Sequence, residues 1–285
     1  MRLALLLLML MRWLPLSWVA AIGRSLGNLL FHFGRRRVTL INLANCFPTQ
    51  TEMERTQTAR GVFQNLARAT LDLGHMWYAP VDEAMARVSL FDRHYLDEWN
   101  GKVPVILLAP HFVGLDFGGA KVSREYPAVF SMYSAQKSKV FDRALRTARQ
   151  RWNGAELVTR QQGLRPVLKA LKAKKLFYYL PDMDFGAKDA VFVDFFGVKT
   201  ATVTALSRLC RITGAKVIPL ITKQTEAGYE SRFYPAWDNF PTDNEEADAR
   251  RMNAFIEARI LEMPDQYFWV HKRFKTRPDG EAGFY

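Results

Sequence analysis

Residues 103–118 read VPVILLAPHFVGLDFG. The first seven, 103–109, are an apolar, β-branched-rich run bounded by Gly101 and Pro110, the signature of a buried strand. Pro110 ends it, because its ring has no N–H to give to a ladder. His111 follows, with Asp116 five residues on and a helix expected over 115–123. A histidine at the C-terminal end of a buried strand, just before a helix, is where α/β proteins place reactive groups. An imidazole accepts a proton near neutral pH, and a carboxylate beside it fixes its tautomer and offsets its charge. His111 and Asp116 are therefore the candidate catalytic pair. Of the five histidines, only His111 has an acidic residue five positions on.

Outward from this stretch, apolar runs alternate with helical ones. Residues 128–133, 176–180, 191–195 and 217–221 read as strands; 141–152, 164–174, 201–213 and 245–262 read as helices. Upstream, 49–75 reads as a helix with Thr49 or Thr51 as cap, and 82–99 carries a weaker helical pattern. The expectation is a single α/β domain with a mixed, largely parallel sheet flanked by helices, over 38–285.

Residues 1–37 are different. An apolar stretch begins at Leu3, is broken by Arg12 and Pro15, and closes on Arg35, Arg36 and Arg37. A membrane-spanning helix needs about 20 apolar residues, and Arg12 near its middle would cost about 2.5–3.5 kcal/mol. A signal peptide is a second reading. The preferred one is a helix lying in one leaflet, with Trp13 and Trp18 at the headgroups and the arginines on anionic lipid. Positive charge after the apolar stretch places the remainder on the cytoplasmic side.

The formal charge is +12, and it is concentrated. Over 121–175, fourteen Lys and Arg face only Glu125, Asp142 and Glu156, a net +11. Such a stretch calls for a polyanionic partner: nucleic acid, anionic lipid or a phosphorylated substrate. Arg149, Arg151 and Arg160 are the candidates for gripping phosphate through bidentate guanidinium contacts. Two distant cysteines suit a reducing compartment. Phosphate-loop, G-x-G-x-x-G, H-E-x-x-H and C-x-x-C signatures are missing, against nucleotide, metalloprotease and zinc-ribbon chemistry. The G-x-S-x-G at 23–27 lies inside the N-terminal segment, without the strand a nucleophile elbow needs.

Asp182 and Asp184 emerge after the strand at 176–180, as turn residues or as ligands; too few His and Cys stand nearby to complete a metal shell. His271 to Lys275 follow an apolar run at 267–270, read as a strand, and could face the cleft of His111. Phe192, Phe195 and Phe196 are either core or the wall of an acyl tunnel.

Several motifs in order resemble the late acyltransferases of lipid A biosynthesis, within the lysophospholipid-acyltransferase superfamily. They are NLANCFP at 42–48, His111-x4-Asp116, Arg149-x-Arg151, Arg160, PDMDFG at 181–186, VFVDFFG at 191–197 and HKRFKTRP at 271–278. The resemblance implies a glycerolipid-acyltransferase-like fold anchored at the cytoplasmic face of a bacterial inner membrane. It implies an acyl-carrier-protein thioester as donor and a phosphorylated lipid A precursor as acceptor, with no metal, cofactor or nucleic acid. His111 would be the general base with Asp116 holding it; Arg149, Arg151, Arg160, Asp182, Asp184 and Arg273 would bind substrate. A different acceptor lipid, or a non-enzymatic protein binding anionic lipid or RNA, are the alternative readings.

Overall fold

The structure, a computed structural model, describes residues 2–285. Helices α1 (Arg2–Met11), α2 (Leu16–Phe31), α3 (Arg36–Cys46) and α4 (Glu52–Tyr78) come first, then α5 (Val81–Ala86), β1 (Val88–Phe91) and α6 (His94–Asp97). The central run supplies β2 (Val105–Leu108), α7 (Leu115–Glu125), β3 (Val129–Tyr133), α8 (Lys139–Gln150), β4 (Glu156–Thr159), α9 (Arg165–Lys172) and β5 (Leu176–Tyr179). The chain continues with β6 (Ala190–Phe195), β7 (Val198–Val203), α10 (Ala205–Thr213), β8 (Lys216–Thr225), β9 (Gly228–Phe233) and α11 (Glu245–Glu262).

Seven strands form one sheet in the order β1-β9-β8-β2-β5-β3-β4. Every neighbouring pair is parallel except β8 and β9, a hairpin. β2 lies at its centre with all four residues buried, as expected of a parallel strand covered on both faces. The fold is the expected α/β domain with a largely parallel, helix-flanked sheet.

Three local expectations are corrected. Residues 82–99 do not form one helix but α5, β1 and α6; β1 exists because Val88–Phe91 pairs with β9, a partner far away in sequence. The helix expected over 201–213 begins at Ala205, since Val198–Val203 pairs with β6 through a two-residue turn at Phe196 and Gly197, both at positive φ. Residues 267–270 form no strand; Tyr267 makes a single bridge to Phe112.

The long helix α4 begins where Thr51 and Glu54 close a capping box, the Thr51 hydroxyl accepting from Glu54 N–H while the Glu54 carboxylate accepts from Thr51 N–H. It is the seat for the N-terminal helices. Gly27 of α2 lies so close that an added Cβ would sit 2.4 Å from Gln64 Cα, and one on Gly74 of α4 would sit 1.8 Å from Leu8 O. The glycines of the 23–27 motif thus serve helix packing, and Ser25 is exposed on a helix. Among the described residues no helix is long and apolar enough to cross a membrane, so the spanning reading finds no support. The apolar stretch instead folds back at residues 12–15 into two helices. Leu3, Leu6, Leu7, Leu10, Trp18 and Leu29 remain exposed on them, and Trp13 in the turn between.

Candidate active site

Parallel register assembles the site. Leu108 at the end of β2 pairs with Tyr179 at the end of β5, and each strand is followed by a proline two residues on and a polar residue three on. His111 and Asp182 therefore emerge side by side. His111 Nδ1 stands 2.7 Å from Asp182 Oδ1, and the His111 backbone N–H donates to Asp182 Oδ2 at 2.9 Å. The buried Tyr267 hydroxyl donates to the same Oδ2 at 3.0 Å. A carboxylate only accepts, so Nδ1 donates the proton in this bond, and in the neutral tautomer this leaves the lone pair on Nε2. Burial pushes the Asp182 carboxyl up, but the His111 charge and the three hydrogen bonds outweigh it and hold the group down to about 2.

Asp116 does not hold the imidazole. From the first turn of α7 it reaches Arg149 on α8, whose Nε and Nη2 both donate to Oδ1, at 2.9 and 2.6 Å. Asp182 already occupies Nδ1, and among the described residues Asp116 makes no hydrogen bond or ion pair to His111. Both aspartates nevertheless belong to one site, because Asp116, Arg149 and His111 line the same cavity of about 500 Å³. Its polar rim also carries the exposed Arg160, stacked 4.0 Å over the Phe185 ring. Its walls are apolar: Phe130, Leu145, Trp77, Trp152 and Leu157 among them. The volume falls within the range of about 300–1,000 Å³ common for small-molecule sites.

The other candidates lie elsewhere. Arg151 donates to Met76 O and Ala79 O and so ties off the C-terminal end of α4. Arg273 is buried, donating to Ala201 O and Thr202 Oγ1 across the Phe195 ring. Arg151 is held by two backbone carbonyls and Arg273 by one carbonyl and a threonine hydroxyl, and neither lines the cavity of His111. Phe195 and Phe196 pack against Tyr267, Phe274, Phe47 and Trp269, so this aromatic block is core and the cavity wall is built from other residues.

Asp184 is buried and makes no cavity contact. It accepts from Gly186 N–H, Thr276 N–H and the Thr276 hydroxyl at 2.7–2.9 Å. Its own N–H donates to His271 Nε2 at 3.0 Å. Burial, reinforced by Arg273, pushes His271 down to about 4, so it is the neutral acceptor this bond requires. The segment at 271–276 thus pins the loop that carries Asp182. Among the described residues no three His, Cys, Asp or Glu side chains gather as a metal site would.

The chain matches the family model of bacterial lipid A biosynthesis acyltransferases over residues 2–276. It is 31% identical to the lipid A biosynthesis lauroyltransferase of Escherichia coli over 279 residues, 95% of this chain and 90% of that one. It is 30% identical to the palmitoleoyltransferase of the same organism (95% and 90% covered) and 31% to its myristoyltransferase (92% and 81%). Identities this even favour none of the three acyl chains. Among solved structures, a 1-acyl-sn-glycerophosphate acyltransferase of Thermotoga maritima is similar at TM-score 0.40 and 13% identity, covering 85% of this chain and 97% of that one. The chain belongs to the bacterial lipid A biosynthesis acyltransferase family, and it is an acyltransferase.

Proposed function

We propose that this acyltransferase moves a fatty acyl chain from an acyl-carrier-protein thioester to a hydroxyl of a phosphorylated lipid A precursor. The observation that carries the reading is His111, its Nδ1 tied to buried Asp182 while the residue lines a cavity with apolar walls. Nε2 of His111 takes the proton of the acceptor hydroxyl as that oxygen bonds to the thioester carbonyl carbon. The tetrahedral intermediate then collapses, the C–S bond breaks, and the thiolate recovers the proton from the imidazolium. Asp182 holds the tautomer that makes Nε2 the base and offsets the positive charge that forms on the ring. The thioester already activates the acyl group, so the reaction as written calls for no metal and no cofactor. The apolar walls suit the hydrocarbon tail, and Arg160 at the rim suits an anionic headgroup.

The acceptor is a membrane lipid, and the exposed apolar side chains of α1 and α2 support docking on one leaflet rather than crossing it. Trp13 and Trp18 sit at headgroup depth in this arrangement, with Arg24 and Arg35 to Arg37 facing anionic lipid. On this reading the site lies at the cytoplasmic face of the inner membrane, the location that the resemblance implies. The test is transfer from acyl-loaded carrier protein to the phosphorylated precursor by wild type and His111→Ala. Wild type should transfer, and the folded variant should lose about 10²–10⁴ in rate. Equal rates would remove His111 from the mechanism.

A further inference from the structure

α8 is two-faced. Leu145, Ala148 and Arg149 line the cavity of His111, whereas Lys139, Arg143 and Arg146 point outward and are exposed. None of these three makes an ion pair or a side-chain hydrogen bond among the described residues. They line a shallow depression of about 410 Å³, whose one acid, Asp142, is engaged by the Gln136 N–H at 2.8 Å. Gln136 lines both this depression and the catalytic cavity, so the two are contiguous.

Spacing makes the cations a track. Steps of four, three and three residues lead from Lys139 through Arg143 and Arg146 to Arg149, which already faces His111's cavity. At 1.5 Å per residue the track is about 15 Å long. Its Lys139 end lies near the surface formed by α1, since the last turns of α4 support both. Gly74 lies beneath Leu8 of α1, while Trp77 packs on Phe141 of α8 at 6.1 Å between ring centroids.

Resting on the transfer reaction proposed above, we infer that Lys139, Arg143 and Arg146 form a phosphate-binding site for the acceptor glycolipid. The site holds its phosphorylated headgroup along α8 while the hydroxyl reaches His111. A phosphate monoester carries close to two negative charges, which matches three cations facing the single carboxylate of Asp142, itself already accepting the Gln136 N–H. The position beside the apolar surface of α1 favours a ligand embedded in the membrane over a soluble carrier domain.

The test combines Lys139→Gln, Arg143→Gln and Arg146→Gln, all exposed, with Lys169→Gln/Lys172→Gln on α9 as a control for charge alone. The acceptor is presented in neutral detergent micelles, with its phosphates intact or removed. The expected result is a KM for the phosphorylated acceptor raised about tenfold or more in the triple variant. The KM for the dephosphorylated acceptor, the KM for the carrier-protein donor and the control variant should stay within about twofold of wild type. A rise confined to the donor KM would assign the track to the carrier protein and overturn the inference, as would equal losses with both acceptors. Micelle-bound glycolipid is also titrated onto each protein without donor. If wild type transferred nothing, the proposed reaction would fail, and this binding would still decide the site: phosphate-dependent binding lost in the triple variant supports it, equal binding overturns it.

Discussion

Two carboxylates line up near His111, and they are held in opposite ways. Asp182 is 1% exposed and receives three hydrogen bonds, from the His111 ring, the His111 backbone and Tyr267. Its loop is fixed two residues further on, where Asp184 is locked to Thr276, Gly186 and His271. Asp116 sits in the first turn of α7, its side chain 29% exposed and, among the described residues, held by Arg149 alone. A preorganised group cannot relax away as charge develops on the imidazole, whereas a half-exposed pair between two helices can exchange partners. On the proposed mechanism, orientation of the base falls to the buried loop, and the pair of α7 and α8 is left to contact substrate.

The largest effect that could break this division is Asp182→Asn. An asparagine fits the space but can present N–H to the ring and favour the wrong tautomer, so kcat should fall by about 10²–10⁴ with the fold retained. Steady-state transfer at saturating substrate checks it. Stability provides a second readout with a definite sign. The Asp182 carboxyl titrates lower in the folded chain, at about 2, than its ordinary value of about 3.9. Its contribution is therefore fully present above about pH 4 and is lost as pH falls through about 2. The gap in unfolding free energy between wild type and Asp182→Asn should be about 2 kcal/mol at pH 7 and close towards pH 2, measured by denaturant titration.

Arg273→Met sharpens the comparison from the buried side. The Ala201 carbonyl and the Thr202 hydroxyl lose their donor, so stability should fall by about 2–4 kcal/mol while the KM for the acceptor stays near wild type. A large KM change with unchanged stability would return Arg273 to substrate binding. Smaller still is Tyr267→Phe, which removes one of three hydrogen bonds on Asp182. About 1 kcal/mol of stability and a fall of about threefold to tenfold in kcat are expected. Asp116→Asn should have the mildest effect on kcat, about tenfold or less, with its main consequence on acceptor KM through Arg149.

The central strand, the histidine after its proline, the long capped helix and the largely parallel sheet were legible because each rests on local pattern: β-branched runs, a capping box, alternation of strands and helices. β1 and β7 were not, because their pairing partners β9 and β6 supply what their short sequences lack. Spacing within one segment pointed to Asp116, which is near His111 in sequence. Asp182 lies 71 residues away and is brought in by register. The signal for it was present in the parallel endings Leu108-Ala109-Pro110-His111 and Tyr179-Leu180-Pro181-Asp182, readable once β2 and β5 are neighbours. Arginines carry no such signal. Arg149 and Arg160 reached the cavity while Arg151 went to backbone carbonyls and Arg273 to a carbonyl and the Thr202 hydroxyl, a choice made by packing.

The most direct test is the proton between His111 and its carboxylate. In protein labelled with ¹⁵N-histidine, the Nδ1–H of His111 should give a strongly downfield proton resonance, identified by its loss in His111→Gln. That signal should persist in Asp116→Asn and vanish, or move sharply upfield, in Asp182→Asn. Loss in Asp116→Asn with retention in Asp182→Asn would contradict the account and return the imidazole to the nearer aspartate.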